Sequence, residues 1–305
     1  MNVVISINEK YINPARSMLY SLARHSEEPI TVWLLNHSLS DGEIRKLEAF
    51  LRKKCHVELV VIPIGDTIFD GMPLDSEGAF SIEVYYRLMI PWLLPQEAAR
   101  ALWLDSDIIV CGDISDYYHM NLQGNCLAVC EEERYVSAKT RGTDNDRLGL
   151  DRSHRYFNAG VLLMDLERIR EYCSPEEVCH LAQRLKDKLV FFDQDILNCL
   201  FQNQVVYVED RLYNCKAAYL ENAPEEVYSD VRILHYYGLN KPWDIRYGFD
   251  PGMRYWNTQI RVSGRNALPY ALFFLRTRVN RVAWVRKLYF FLTGKKRETG
   301  SDSGE

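Results

Sequence analysis

The sequence predicts an α/β fold with a mostly parallel central sheet. Three observations predict it. Short, β-branched apolar runs alternate with stretches carrying apolar residues at helical spacing, the pattern of strands joined by crossover helices. The strand candidates are close to continuously apolar, as strands covered on both faces are. The chain has 305 residues, of which 47% are hydrophobic and 26% charged. That is enough to bury a core without disulfide staples, and it excludes disordered and fibrous classes.

The elements follow in order. Val3-Val4-Ile5-Ser6-Ile7 is the first strand. Asn13 and Pro14 then suit a helix N-cap and first helical position, and Met18, Leu19 and Leu22 give that helix its apolar stripe. Residues 30–35 are the next strand. Ser40-Asp41-Gly42-Glu43 fits a capping box, and Ile44, Leu47 and Leu51 follow at helical spacing. Residues 57–64, 102–110 and 127–130 are the third to fifth strands, and residues 161–164 are a further apolar run. Helices are expected over about residues 83–93, 175–187 and 193–201, and a strand over Val231–Leu234. The domain boundary falls near Gly248–Gly252, dividing the chain into a body, 1–250, and a C-terminal segment, 251–305.

Charge supports that division. The net charge is −5; residues 251–297 hold eleven Lys or Arg and no acid, and the last eight residues hold three acids, which leaves −13 on residues 1–250. An acidic body argues against nucleic acid as a partner, since no reading module accompanies the basic stretch. The eight cysteines contain no CxxC pair, so they read as free thiols of a reducing cytosol rather than a zinc site. The opening Met-Asn-Val-Val-Ile-Ser-Ile has no basic n-region, so no signal peptide is expected.

In open α/β sheets, ligands collect outside the carboxyl ends of strands. The fourth strand runs into Asp105-Ser106-Asp107 and then Ile108-Ile109-Val110. Two acids amid apolar residues are costly to bury as ions unless a cation meets them. Residues two apart in a strand face the same way, and if the strand ends or bends there both carboxylates can converge on one divalent ion, Mg²⁺ or Mn²⁺. The bland alternative is a turn or cap at a strand end. The candidate third ligand is His235, which opens His235-Tyr236-Tyr237-Gly238-Leu239-Asn240-Lys241-Pro242-Trp243 after a strand. Neutral imidazole suits Mn²⁺, Gly238 permits close backbone approach, and Lys241 supplies a point charge for phosphate. A strand-end His can equally be a satisfied core residue.

Two further blocks stand out. Phe157-Asn158-Ala159-Gly160 sets a polar residue and two small ones before an apolar strand, where a ligand could approach the backbone or where a turn could sit. Phe191-Phe192-Asp193-Gln194-Asp195-Ile196-Leu197-Asn198 reads as a helix start with Asp193 as N-cap. A cap explains one acid but not Asp, Gln and Asp together, so these side chains are also candidates to bind sugar hydroxyls.

Taken together, the ordered blocks Leu104-Asp105-Ser106-Asp107, Phe157–Leu163, Asp193–Asn198 and His235–Trp243 resemble glycosyltransferase family 8. These are retaining nucleotide-sugar transferases that include bacterial lipopolysaccharide α-galactosyl- and glucosyltransferases and, more distantly, glycogenin. The likeness covers about residues 1–250. It implies a GT-A fold, a UDP-sugar donor and Mn²⁺, with Mg²⁺ as the substitute. Asp105, Asp107 and His235 would hold the metal, and Gly238 and Lys241 would contact the diphosphate. Arg87, Ser106 and Ala159 would join the donor site, and Tyr11 would stack on uracil. Asn158, Asp193 and Gln194 would line the sugar, with Gln194 beside the anomeric carbon. Asn8 stands where bacterial relatives often carry Asp, and its amide can still pair with a uracil edge. Glu132 falls where such enzymes place an acceptor-side carboxylate.

The resemblance implies hexose transfer, galactose or glucose, to a saccharide or glycolipid. An amide oxygen is a poor nucleophile, so Gln194 favours same-face attack in which a donor phosphate oxygen takes the acceptor's proton. In the basic segment, Leu272, Leu275, Val279 and Val282 fall at helical spacing among arginines, which suits an anionic membrane surface or, alternatively, docking on the acidic body. The expected location is cytoplasmic, at the inner face of the membrane, with a lipid-linked saccharide as acceptor. Two rivals are a catalytically degenerate scaffold at the membrane and a haloacid-dehalogenase-like phosphatase, whose D-x-D usually follows the first strand rather than the fourth.

Overall fold

The computed structural model describes residues 1–65, 72–73, 82–132, 144–220, 229–238, 241–243 and 252–263. The basic stretch 264–305, with its expected membrane helix, lies outside the described residues.

A seven-stranded sheet forms the centre. It contains β1 (Asn2–Ser6), β2 (Thr31–Asn36), β3 (Glu58–Pro63), β4 (Arg100–Leu104), β6 (Leu127–Glu131), β7 (Phe157–Asp165) and β8 (Val205–Val208), in the order β3-β2-β1-β4-β7-β6-β8. Neighbours run parallel except at β7, which is antiparallel to both β4 and β6. The mostly parallel sheet expected from the sequence is present, with one reversed strand that apolar continuity could not reveal.

Each strand feeds two cores by alternation. Val3, Ile5, Leu102 and Leu104 pack on the side of α1 (Ile12–His25) and α2 (Asp41–Phe50). Val4, Trp103 and Leu162 pack on the other, with α3 (Ile90–Leu93), α5 (Leu166–Tyr172), α6 (Pro175–Leu185) and α7 (Phe192–Leu200). A short α4 (Ser115–His119) joins the first side through Tyr117 and Tyr118. Burying each such side chain contributes about 1.5–3 kcal/mol, which is why strands covered on both faces carry no polar alternation.

Local signals fared unevenly. The Ser40–Glu43 capping box forms, with Ser40 N donating to Glu43 Oε2 at 2.8 Å. Asn13 does not cap α1. The helix begins at Ile12, and Asn8 caps a 3₁₀ turn one step earlier by accepting from Lys10 N at 3.1 Å. Because that turn runs into α1, Asn13 is already inside the helix.

The expected single strand over 102–110 is two strands in two sheets. β4 ends at Leu104, the chain turns through Asp105–Asp107, and Ile108–Val110 forms β5 of a three-stranded sheet. Its other members are β9 (Cys215–Lys216) and β10 (Ile233–His235), in the order β5-β10-β9. The short α8 (Asp210–Tyr213) leads into β9. Charged side chains facing a core on either side would be left unsolvated, and the turn moves them to the seam between the sheets. The final described helix, α9 (Gly252–Ser263), lies beyond the boundary read from the sequence. It packs on the body: Gln259 Nε2 donates to Asn13 O at 2.8 Å, and Tyr255 and Trp256 share a buried cluster with Trp243.

Candidate active site

The seam between the sheets collects the chemistry. Antiparallel pairing of β5 with β10 sets His235 opposite Ile108, and Tyr236 N donates to Asp107 O at 2.9 Å. The Asp105 amide instead donates to Gly160 O of β7 at 2.9 Å. One carboxylate is therefore tied to the large sheet and the other to the small one. His235 Nε2 lies 3.2 Å from Asp107 Oδ1 and 3.7 Å from Asp105 Oδ2. Ligand atoms of all three residues fall within 4.8 Å of one another. The approach needs glycine in β7: a Cβ at Gly160 would stand 2.2 Å from His235 Cε1 and 2.8 Å from Asp105 Oδ2.

Cations ring this cluster. Lys241 Nζ pairs with Asp107 Oδ2 at 2.5 Å and donates to Tyr236 O at 3.1 Å. Burial works against ionisation of Asp107, but Lys241 and His235 beside it hold it well below the usual carboxylate range. Burial likewise opposes the Lys241 charge, and Asp107 more than reverses it, raising the ammonium above its ordinary value. Tyr11 sits at the same site. Its phenol is pushed up by burial, with Lys241 drawing it down and Asp107 and Asp105 adding to the rise. Its ring meets Trp243 edge-on at 5.9 Å. Asn8 is part-buried at the carboxyl end of β1, and Ser106 is part-buried in the Asp105–Asp107 turn. Gly238 has φ +99°, a conformation that side-chain-bearing residues rarely adopt.

Arg87, on a 3₁₀ helix over Ile82–Met89, connects the aspartate turn to α7. Nη1 lies 3.2 Å from Asp105 Oδ1, and Nε lies 2.9 Å from Asp193 Oδ2, an ion pair without hydrogen-bond alignment. The guanidinium also donates to Ala159 O and rests 4.6 Å over the Trp103 ring, whose Nε1 donates to Asp105 Oδ1 at 2.9 Å. Asp193 is not the N-cap of α7; Phe191 holds that position. Burial pushes the Asp193 carboxyl up to about 7, with Arg87 opposing the rise and Asp105 reinforcing it.

The Asp193–Asn198 block divides by face. Gln194 Oε1 accepts from Ala159 N at 2.9 Å, on the side of the aspartates. Asp195 is fully buried on the other side. It accepts from Tyr156 OH at 2.6 Å, Val190 N at 2.7 Å and Phe191 N at 2.9 Å, and from Arg147 at 3.1 Å. These bonds hold the helix start where Phe192 takes the left-handed φ of +40°. Asn198 accepts from Phe157 N and donates to Phe157 O, clamping the start of β7. Half of the block thus serves the framework and half faces the site.

The remaining expected residues lie just beneath. Asn158 is 5% exposed; Nδ2 donates to Glu132 Oε2 at 2.7 Å, and Oδ1 accepts from Gly160 N at 2.9 Å. Glu132 is itself buried at the end of β6. Asn214 went unread in the sequence. It donates to Asn158 Oδ1 at 2.9 Å and meets His235 Nδ1 at 2.7 Å. An Asn before a two-residue strand carries no pattern that separates it from a loop.

The donor set fits a hard divalent cation. Two carboxylates and one imidazole nitrogen converge, a set of oxygen and nitrogen ligands that such a cation takes. Comparison with known proteins bears on the fold and the family. The chain is 22% identical over 273 residues to lipopolysaccharide 1,2-glucosyltransferase of Escherichia coli K12, covering 86% of this chain and 78% of that protein. It is 24% identical over 260 residues to lipopolysaccharide 1,3-galactosyltransferase of Salmonella typhimurium, covering 79% of this chain and 72% of that one. The solved structure of galactosyltransferase LgtC with donor and acceptor sugar analogues superposes with TM-score 0.72 at 23% identity, over 85% of this chain and 95% of that one. GlyE of Streptococcus pneumoniae TIGR4 superposes with TM-score 0.61 at 22% identity, over 93% of this chain and 64% of that one. The GT-A fold expected from the sequence is thereby present, and the phosphatase alternative falls. The sequence model of Glycosyl transferase family 8 matches residues 2–246, and the chain belongs to that family.

Proposed function

We propose that this glycosyltransferase is a retaining, Mn²⁺-dependent hexosyltransferase that moves galactose or glucose from a UDP-sugar to a saccharide or lipid-linked saccharide. The observation that carries the proposal is the convergence of Asp105, Asp107 and His235 within 4.8 Å, with Lys241 on Asp107. The lipopolysaccharide glucosyl- and galactosyltransferases among the relatives support the substrate class.

Asp105, Asp107 and His235 would hold the cation, which when bound supplies Lewis-acid stabilisation of the charge growing on the departing diphosphate. Lys241 adds a second positive charge beside the same phosphates, at a part-buried site where such a charge is worth more than in water. Gly238 permits the backbone to approach the diphosphate, Asn8 and Tyr11 bind the uracil, and Ser106 and Ala159 complete the donor site. Asp193 and Gln194 bind the sugar, and Arg87 fixes Asp193 relative to Asp105. The Gln194 oxygen is already held by the Ala159 amide, which supports same-face attack over a glycosyl adduct on that residue. The acceptor's proton then passes to a leaving phosphate oxygen.

A panel of UDP-sugars with Mn²⁺, read by UDP release, tests the proposal. Turnover with one UDP-hexose is expected; no turnover with any donor returns the scaffold reading. A trapped glycosyl adduct on Asp193 or Gln194 would overturn same-face attack. Among the described residues no helix is long and apolar enough to cross a membrane. For the basic stretch we propose attachment to an anionic membrane surface, so a chain ending at Gly264 should leave anionic liposomes to which the full chain binds. Equal partitioning would refute this.

A further inference from the structure

The hydrogen bonds beneath the aspartates have a fixed direction, and one backbone amide sets it. Gly160 N–H can only donate, so the Asn158 atom that it meets at 2.9 Å is oxygen. The other Asn158 terminus is then nitrogen and donates to Glu132 Oε2 at 2.7 Å. The Asn214 atom facing the same Asn158 oxygen at 2.9 Å must be a donor, hence nitrogen. Its remaining terminus is an oxygen, 2.7 Å from His235 Nδ1, which must therefore carry hydrogen. This leaves Nε2 of His235 directed at Asp107 and Asp105. Every link is buried: Glu132 is 6% exposed, Asn158 5%, Asn214 4% and His235 0%, so solvent cannot substitute for a lost partner.

We propose that Asn214 is a positioning residue that locks His235 in its Nδ1–H form, with Asn158 and Glu132 setting the orientation of Asn214, so that Nε2 presents a lone pair to the divalent cation. The inference rests on the metal site proposed above. It also gives Asn158 and Glu132 a role in framing the metal, beneath the sugar and acceptor roles read from the sequence. Partners behind a metal-bound imidazole fix its tautomer and orientation, and losing them typically weakens metal binding by about 10–100-fold.

The test uses the full chain and two readouts that do not depend on turnover. One is Mn²⁺ affinity by calorimetry; the other is the hydrogen-bonded His235 Nδ1 proton, read by ¹H–¹⁵N NMR of the metal-free protein. Asn214→Leu should weaken Mn²⁺ binding about 10–100-fold and remove the hydrogen-bonded, exchange-protected Nδ1 proton signal. Asn158→Asp sets two carboxyl groups face to face and should weaken Mn²⁺ binding likewise. Asn158→Asp combined with Glu132→Gln returns a donor to that contact and should recover wild-type affinity. Wild-type affinity and an unchanged Nδ1 proton signal in Asn214→Leu would overturn the proposal. If that variant fails to fold, absence of recovery in the double variant overturns it instead. A wild-type protein that binds no Mn²⁺ would sink the metal-dependent function, while the Nδ1 proton measurement would still decide the role of Asn214.

Discussion

The outer half of the large sheet and the seam between the sheets are built from opposite materials. Around β1, β2, α1 and α2 the buried set is largely hydrocarbon, including Val3, Ile5, Met18, Leu34 and Leu47. At the seam Asp107, Glu132, Asn158, Asp193, Asn214 and His235 are all buried. Hydrocarbon packing is non-directional and tolerates substitution that conserves volume. A buried polar network is directional, and reversing one donor leaves two groups unsatisfied. The first region should govern stability and the second the chemistry, so perturbing each should give separable results.

The largest separation is expected at Asp107. Asp107→Ala should lower Mn²⁺-dependent turnover about 10³-fold or more, the scale of several kcal/mol of charge stabilisation. A transfer rate equal to wild type would erase the distinction between the regions. Leu34→Ala should do the converse: a loss of about 2–5 kcal/mol in denaturant unfolding, with activity retained below the new melting temperature. Gly160→Ala sharpens the contrast with a single methyl group. Its Cβ would stand 2.2 Å from His235 Cε1, and displacing that ring should weaken Mn²⁺ binding about 10–100-fold while the circular dichroism spectrum persists. Unaltered Mn²⁺ affinity in that variant would mean the seam is more pliable than its packing indicates.

The smallest effect is a slope. Burial favours the protonated form of Asp193 and pushes its carboxyl up to about 7 in the folded chain. The folded state therefore holds this proton more tightly than the unfolded state. The stability it contributes is complete below the unfolded value of about 3.9 and is lost as pH rises through about 7. Between about pH 5 and about pH 8 the melting temperature of the wild type should fall relative to Asp193→Asn. Parallel curves would show that Arg87 neutralises Asp193 throughout.

What the sequence disclosed tracks how far each residue lies from its partners along the chain. Asp105 and Asp107 announced themselves because the interruption and its apolar flanks are adjacent. The strands did so because period and β-branching are local properties. That β5 belongs to a second sheet was missed because its pairing partner is β10, more than a hundred residues away. Asn214 was missed for the same reason: its partners are His235 and Asn158, and neither distance leaves a periodic trace. Asp195 and Asn198 were visible as residues but not as framework, since the role depends on Tyr156, Arg147 and Phe157. The assignment of Asn13 as a cap failed more simply, because Asn8 performs the same local chemistry a few residues earlier.

The turn that separates β4 from β5 anchors Asp105 to one sheet and Asp107 to the other. The pair therefore works as a gauge of how the two sheets are aligned. Any change that slides the small sheet, even one remote from the seam, enters the spacing of the carboxylates undiluted. Reactive constellations tolerate errors of only about 0.5 Å. Substitutions in the small sheet should accordingly be felt as lost turnover well before they are felt as lost folding.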